Sequence, residues 1–413
     1  MDMTTQPSGA RKVFNMLSEL AAFLLMGTLL ALIWANLDHE SYEQFVEGTL
    51  FTSSLLSHEP DHAVSFHFLV NDIFMVLFFG IAMKEVSESF LPGGALSSVR
   101  KAAMPAIATL GGVLGPVGVF FALHAILAPD PGFAGGWAIP TATDIAYCWL
   151  FAGMIFGRAH PAVTFLLVLA VLDDLIGMLI IATFYTAEVH LPWLGLVLLA
   201  VAICEGMRRA GVKTFWPYLL IGAPLSWFGL HQTGVHAALA LVPVLPFMPH
   251  AQRDSGLFTS DSGHASDTMN EFEHFFKPIV DVGLFFFGLA NAGVVLSGEA
   301  FVSDPTWVIF LSLLIGKTAG ISLFALGANK AGLELPKHMT MRQIPVLGMV
   351  AGIGFTVALF VTTVFIKMTT SPHIDVVAGE LKLGALLSFS AGLFAWLLAK
   401  VLKVEKIHQL PPE

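Results

Sequence analysis

Charge is what this sequence has least of. Only 12% of its 413 residues are Asp, Glu, Lys or Arg, against the ~25% usual in soluble domains. That excludes a string of soluble domains, and the 56% hydrophobic content points to a polytopic membrane protein. Positive charge is scarcer than negative, and the net charge of −10 argues against nucleic acid as a partner. Cysteine is nearly absent. Cys148 and Cys204 both lie inside apolar runs, which leaves no disulfide framework and no thiolate metal site. A secretory leader is also missing from the pattern. The first apolar run is too long for a signal-peptide core and lacks a small-residue cleavage site, so it is expected to stay as a helix.

Long apolar runs are what the chain does have. Runs of ~20 residues are long enough to span a bilayer as helices, and counting them gives about twelve. They fall at residues 12–36, 66–85, 104–127, 137–156, 162–185, 193–205, 215–229, 235–248, 278–296, 307–326, 344–366 and 383–402. The expected fold is an all-α polytopic membrane protein, a single transmembrane domain over 1–413. All but Lys317, Lys367 and Lys382 of its 20 basic residues fall in alternate loops or at the helix ends beside them, from Arg11 and Lys12 through Arg208 and Arg209 to Lys406. The positive-inside rule makes that side cytoplasmic, both termini included. The opposite loops carry Asp38, Glu40, Glu43, Glu47 and Asp304. The external loop 37–65 holds a β-prone patch at 49–52. The cytoplasmic loop 249–272 is rich in Ser, Asp and His, so with its scattered His250 and His264 it reads as a flexible connector rather than a metal site.

Asp173 and Asp174 sit in the middle of the 162–185 run. An ionised residue at mid-membrane costs roughly 2.5–3.5 kcal/mol on insertion scales, so two adjacent ones need a compensating reason. A tolerated packing defect is one reading; a site for cations or protons is the other, and the company these residues keep favours it. The 137–156 run is interrupted by Pro140, followed at once by Thr141, Thr143 and Asp144. Proline frees backbone groups that membrane protein must satisfy internally. The 344–366 run has a second weak point at Gly352 and Gly354. Helices three to five (101–186) and ten to twelve (305–402) are thus two triplets, each with its interrupted helix in the middle. An odd number repeated inverts the second copy, and the two broken helices are expected to cross at the midplane. Lys317, in the middle of the tenth run, is too deep to snorkel. It is placed to pair with one carboxylate and to offset half-helix C-termini, as Asp144 offsets N-termini.

The phrases GWAIPTATDIA, LAVLDDL, TGVHAALA, FGLANAGV, LIGKTAGISLF and GIGFTVALF together resemble the bacterial NhaA family of sodium–proton antiporters, in order and spacing, from about residue 66 to the last helix. The resemblance implies a pH-regulated, electrogenic Na+/H+ antiporter of the inner membrane, with lithium as a further candidate cation. Asp174 would be the main ion-binding carboxylate, with Thr143 and Asp144 beside it, and Asp173 the partner of Lys317. The family also suggests a hairpin in 37–65 at a homodimer interface. Besides membrane lipid, the implied partners are sodium ions and protons, with no cofactor and no enzymatic chemistry. Two positions depart from the family pattern. Glu85 is preceded by Lys84 and followed by Val86-Ser87-Glu88-Ser89, where the family has Lys-Arg-Glu after one apolar residue. Lys277 stands where a second His is expected after Glu273-His274. The family associates these positions with pH response, which makes Glu85, Glu273 and His236 candidates whose threshold does not carry over. Two other classes compete: a sodium-coupled symporter of similar architecture, and an intramembrane aspartyl protease. The protease needs a dyad of carboxylates around one water, normally from separate helices.

Overall fold

Among the described residues, six helices are long and apolar enough to cross a membrane: Phe66–Ser89, Ala102–Leu127, Pro161–Phe184, Leu191–Arg209, Asp304–Lys330 and Val377–Val401. Two further spans are each broken. Gly132–Thr141 and Ile145–Phe156 meet at 47°, and Gln343–Ala351 and Phe355–Met368 at 44°. The computed structural model describes residues 21–52, 63–92, 94, 96–127, 131–186, 189–250, 267–369, 374–404 and 406. The start of the first expected helix, Arg11, Lys12 and His264 lie outside these.

Several expected elements differ. Residues 235–248 are not a helix but a run of turns, with tight single turns at Ala237–Leu239 and Leu245–Phe247. Pro243 and Pro246 explain this, since each removes a backbone donor that a helix would use. The 215–229 run becomes a wide turn, Tyr218–Gly222, leading into Ala223–Thr233. The helix expected at 278–296 instead spans Thr268–Asn291. It begins early because Asp267 caps it, accepting the Asn270 N–H at 2.8 Å, a preferred capping residue. The fold also holds a small β element. The strand Thr49–Thr52 pairs antiparallel with Ala63–Ser65.

Small residues set one of the close helix contacts. Ala102–Leu127 crosses Asp304–Lys330 where Gly111 and Gly115 meet Gly316 and Gly320, and a Cβ on Gly320 would lie 2.0 Å from the Gly111 carbonyl oxygen. Stripes of small residues let backbones approach in this way in membranes. Gly320→Ala is therefore expected to destabilise the protein by about 1–3 kcal/mol, read as a lower melting temperature in detergent. A melt unchanged from the parent would mean the two helices separate at no cost.

Candidate functional site

The two breaks pass each other and complete each other's hydrogen bonds. The Asp144 N–H donates to the Ile353 carbonyl at 2.7 Å, the Thr143 hydroxyl reaches the Ala351 carbonyl at 3.1 Å, and the Cys148 thiol the Val350 carbonyl at 3.2 Å. The Val350 and Ala351 carbonyls end the half-helix Gln343–Ala351 and the Ile353 carbonyl follows it, at a break whose backbone groups must find partners inside the protein. Ser388 Oγ accepts the N–H groups of Gly354 and Phe355, both at 3.2 Å.

Asp144 serves both half-helices that start at the crossing. It caps Ile145–Phe156, accepting the Tyr147 N–H at 3.3 Å. Its other oxygen accepts the Thr356 N–H at 3.1 Å and the Thr356 hydroxyl. Two helix N-termini, each a partial positive charge, thus converge on one buried carboxylate. Thr356 is a site residue that sequence reasoning missed; its place just after the Gly352–Gly354 break was the signal.

Lys317 lies at the complementary end of the crossing. Its side chain is fully buried and its Nζ contacts both Asp173 Oδ2 and Thr143 Oγ1. Thr143 is hydrogen-bonded to Asp173 as well. Thr143, expected beside Asp174, thus has its hydroxyl engaged in the Asp173–Lys317 group. A wide turn at Ser312–Gly316 precedes Lys317; such turns frequently mark functional positions in helices.

Asp174 faces the other way. It lines a cavity of about 310 Å³ together with Asp144, Thr356, Glu85, Lys277 and Asp281. Its Oδ1 is buried without a hydrogen-bond partner. The two aspartates also line a void of about 10 Å³ with Thr141, Ile181 and Val361, no more than one water would need.

The remaining candidates separate. Glu85 is on the cavity wall. Glu273 is bound by Lys84, whose Nζ lies 2.6 Å from Glu273 Oε2 and 2.7 Å from Glu88 Oε2, while Lys277 is 3.9 Å from Glu273 Oε1. Lys84, one of the departures from the family pattern, is thus the buried centre of an ion-pair cluster joining Phe66–Ser89 to Thr268–Asn291. His236 is not with them. Its Nε2 is 3.8 Å from Asp72 Oδ1, its Nδ1 accepts the Ala238 N–H at 3.3 Å, and its ring packs on Phe360. Of the connector's histidines, His250 holds its Nδ1 3.3 Å from the Met248 carbonyl oxygen.

Two discontinuous helices crossing beside buried ionisable groups are the architecture of a secondary transporter core. A family model described as Na+/H+ antiporter 1 matches residues 11–398, and the chain belongs to that family. It is 46% identical over 402 residues to Na(+)/H(+) antiporter NhaA 2 of Pelobacter propionicus, covering 96% of this chain and 100% of the relative. It is 45% identical over 401 residues to Na(+)/H(+) antiporter NhaA of Geobacter metallireducens, with 96% and 100% covered. The antiporter NhaA of Jannaschia sp. is 40% identical over 426 residues, with 96% and 99% covered.

Proposed function

We propose that this protein exchanges sodium ions for protons across the bacterial inner membrane, with Asp174 as the carboxylate the two cations share. The observation that carries the reading is a carboxylate with a partnerless buried oxygen in the wall of a cavity of about 310 Å³. A bare buried negative charge is costly, so such a group is held either protonated or with a cation. Sodium is a hard cation suited to oxygen ligands, and Asp144 and Thr356 offer oxygens on the same wall. Competition for one site is sufficient for antiport.

Alternating access follows from rocking of the two broken spans, related by an inverted repeat, against the remaining helices. The cavity wall carries Glu85 and Lys277, residues of the side that the positive-inside rule makes cytoplasmic, the side of both termini. The exchange is electrogenic, with more than one proton moving per sodium ion. The membrane potential then adds about 2.3 kcal/mol per net charge per 100 mV. Glu85 and the Lys84–Glu88–Glu273 cluster form the pH-responsive mouth, and lithium is a second cargo of the same site. Leu50 and Phe51 are exposed on the strand Thr49–Thr52, which supports a homodimer contact through 37–65.

The geometry disfavours a protease. Asp173 is engaged by Lys317, and Asp144 by two helix N-termini, so neither is available to form a dyad with Asp174. Symport remains the reading to separate, because 310 Å³ is at the small end of pockets for organic ligands, ~300–1,000 Å³. In proteoliposomes, a sodium pulse is expected to dissipate an imposed pH gradient with no organic solute present. A gradient that collapses only when a solute is added overturns the proposal.

A further inference from the structure

We propose that Asp72 is a second carboxylate for the transported cation, at the end of the bundle that the positive-inside rule makes external, and that Lys367 is a tethered cation holding its place there. This rests on the exchange reading above, in which the broken spans rock against the remaining helices, and it adds an outer station for the same cargo.

Lys367 is one of three lysines that stand apart from the basic loops, and the crossing accounts only for Lys317. It lies in the last turn of Phe355–Met368, where a cation suits the helix dipole. Its Nζ nevertheless reaches a different helix and lies 3.7 Å from Asp72 Oδ2. The lysine side chain is 42% exposed and the carboxylate only 12%, so the cation meets the carboxylate from the solvent side.

The two partners ride on different parts of the protein. Asp72 sits in a wide turn, Leu69–Phe74, near the start of Phe66–Ser89, a distortion frequent at functional positions. That turn is fastened to helices outside both broken spans. Trp227 Nε1 donates to the Asp72 carbonyl at 2.7 Å. The side-chain amides of Asn71 and Asn291 exchange hydrogen bonds at 3.2 and 3.1 Å, and Asn291 ends Thr268–Asn291. Lys367 belongs instead to the second broken span. One face of its half-helix carries Thr356, Phe360, Thr363 and Lys367 at alternating four- and three-residue spacing. These meet, in turn, Asp144, Phe79, Asn291 and Asp72.

The same seam leads to the aspartate pair. His236 Nε2 is 3.8 Å from Asp72 Oδ1, and its ring packs on Phe360 at 5.0 Å. Phe360 packs on Phe79 at 5.0 Å, and Phe79 lines the small void shared with Asp173 and Asp174. The lysine and histidine contacts to Asp72 are both longer than hydrogen bonds, so its carboxylate is neutralised without being bonded. When the broken span rocks away, it takes the lysine ammonium with it. A buried carboxylate that loses its counter-charge is costly, and a hard cation, here sodium, restores the balance. Return of the span brings Lys367 back and displaces that cation outward.

The test measures the sodium concentration for half-maximal exchange from each face, in right-side-out and everted vesicles. The readout is the ratio of the external to the cytoplasmic value, in which a general loss of activity cancels. Lys367→Gln removes the competitor and is expected to lower the ratio about fivefold, the range of a partly exposed ion pair. Asp72→Asn removes the station and is expected to raise the ratio about tenfold. A ratio that both variants move the same way, or that either leaves unchanged, overturns the proposal, because a structural strut is lost equally in both. A second measurement needs no transport. Lys367→Cys is labelled in right-side-out vesicles with impermeant cationic and anionic thiol reagents; the native Cys148 and Cys204 are buried. With Asp72 intact, the cationic reagent is expected to react several-fold faster, and sodium to slow it more than choline at equal ionic strength. Asp72→Asn is expected to remove both differences, and equal labelling with Asp72 present overturns the proposal. Should the parent show no sodium-driven flux from either face, the exchange reading fails instead, and labelling alone decides whether Asp72 receives external cations.

Discussion

Asp174→Asn abolishes sodium–proton exchange and leaves the protein folded. The expectation follows from what Asp174 does and does not touch. Its Oδ1 has no hydrogen-bond partner and its side chain faces the cavity beside Asp144 and Thr356, so an isosteric amide disturbs no contact on which folding depends. It removes the one feature exchange needs, a charge that is neutralised by either cation. Truncating one partner of a buried charge pair costs ~2–5 kcal/mol, and at ~1.4 kcal/mol per tenfold that is a loss between about thirtyfold and several thousandfold. Flux in proteoliposomes measures the loss, and a melting temperature close to the parent's shows that folding is intact. Exchange at the parental rate would remove Asp174 from the site.

Lys317→Ala has its largest effect on stability. The lysine is buried with Asp173, both side chains fully inaccessible, and it also contacts Thr143. Breaking a buried pair by removing one partner costs ~3–5 kcal/mol, because the other charge is left uncompensated. The crossing also loses the cation that faces the half-helix C-termini. The double variant Lys317→Ala, Asp173→Asn is expected to recover much of the melting temperature, since no lone charge remains. Additive losses in the double variant would show that the two side chains do not act as a pair. Voltage dependence of flux gives a second readout.

The two variants separate two duties that share one dipeptide. Asp173 is engaged at the crossing by Lys317 and Thr143; Asp174 lines the cavity, where we propose that it meets the cargo. The same division explains why the adjacent carboxylates do not form a protease-like dyad.

Much of this was legible in the chain. Composition placed it in the membrane, and Pro140 with Thr141, Thr143 and Asp144 marked the first break, because proline and polar side chains in an apolar run have few other uses. Gly352 and Gly354 marked the second, and Lys317 declared itself by its depth. Local pattern was least reliable where propensities conflict. The apolar run 235–248 has helix-like hydrophobicity, but Pro243 and Pro246 dominate its backbone, and it folds as turns. Thr268–Asn291 begins before its apolar stretch because a capping aspartate, not hydrophobicity, starts a helix.

By itself, then, the sequence determined the class of protein, its family, and a short list of candidate ionisable residues inside its apolar runs. Each follows from forces that act along the chain: the cost of charge in lipid and the cost of an unpaired backbone group. Only the tertiary structure decided the partnerships. Thr143 went to Asp173, Thr356 to Asp144 and Lys84 to Glu273. Helical geometry requires that Asp173 and Asp174 diverge, but which faces Lys317 and which the cavity depends on the rotation of Pro161–Phe184 against distant helices. That rotation is set by packing contacts between residues far apart in the chain, such as the glycine crossing of Ala102–Leu127 with Asp304–Lys330, and no local pattern encodes it.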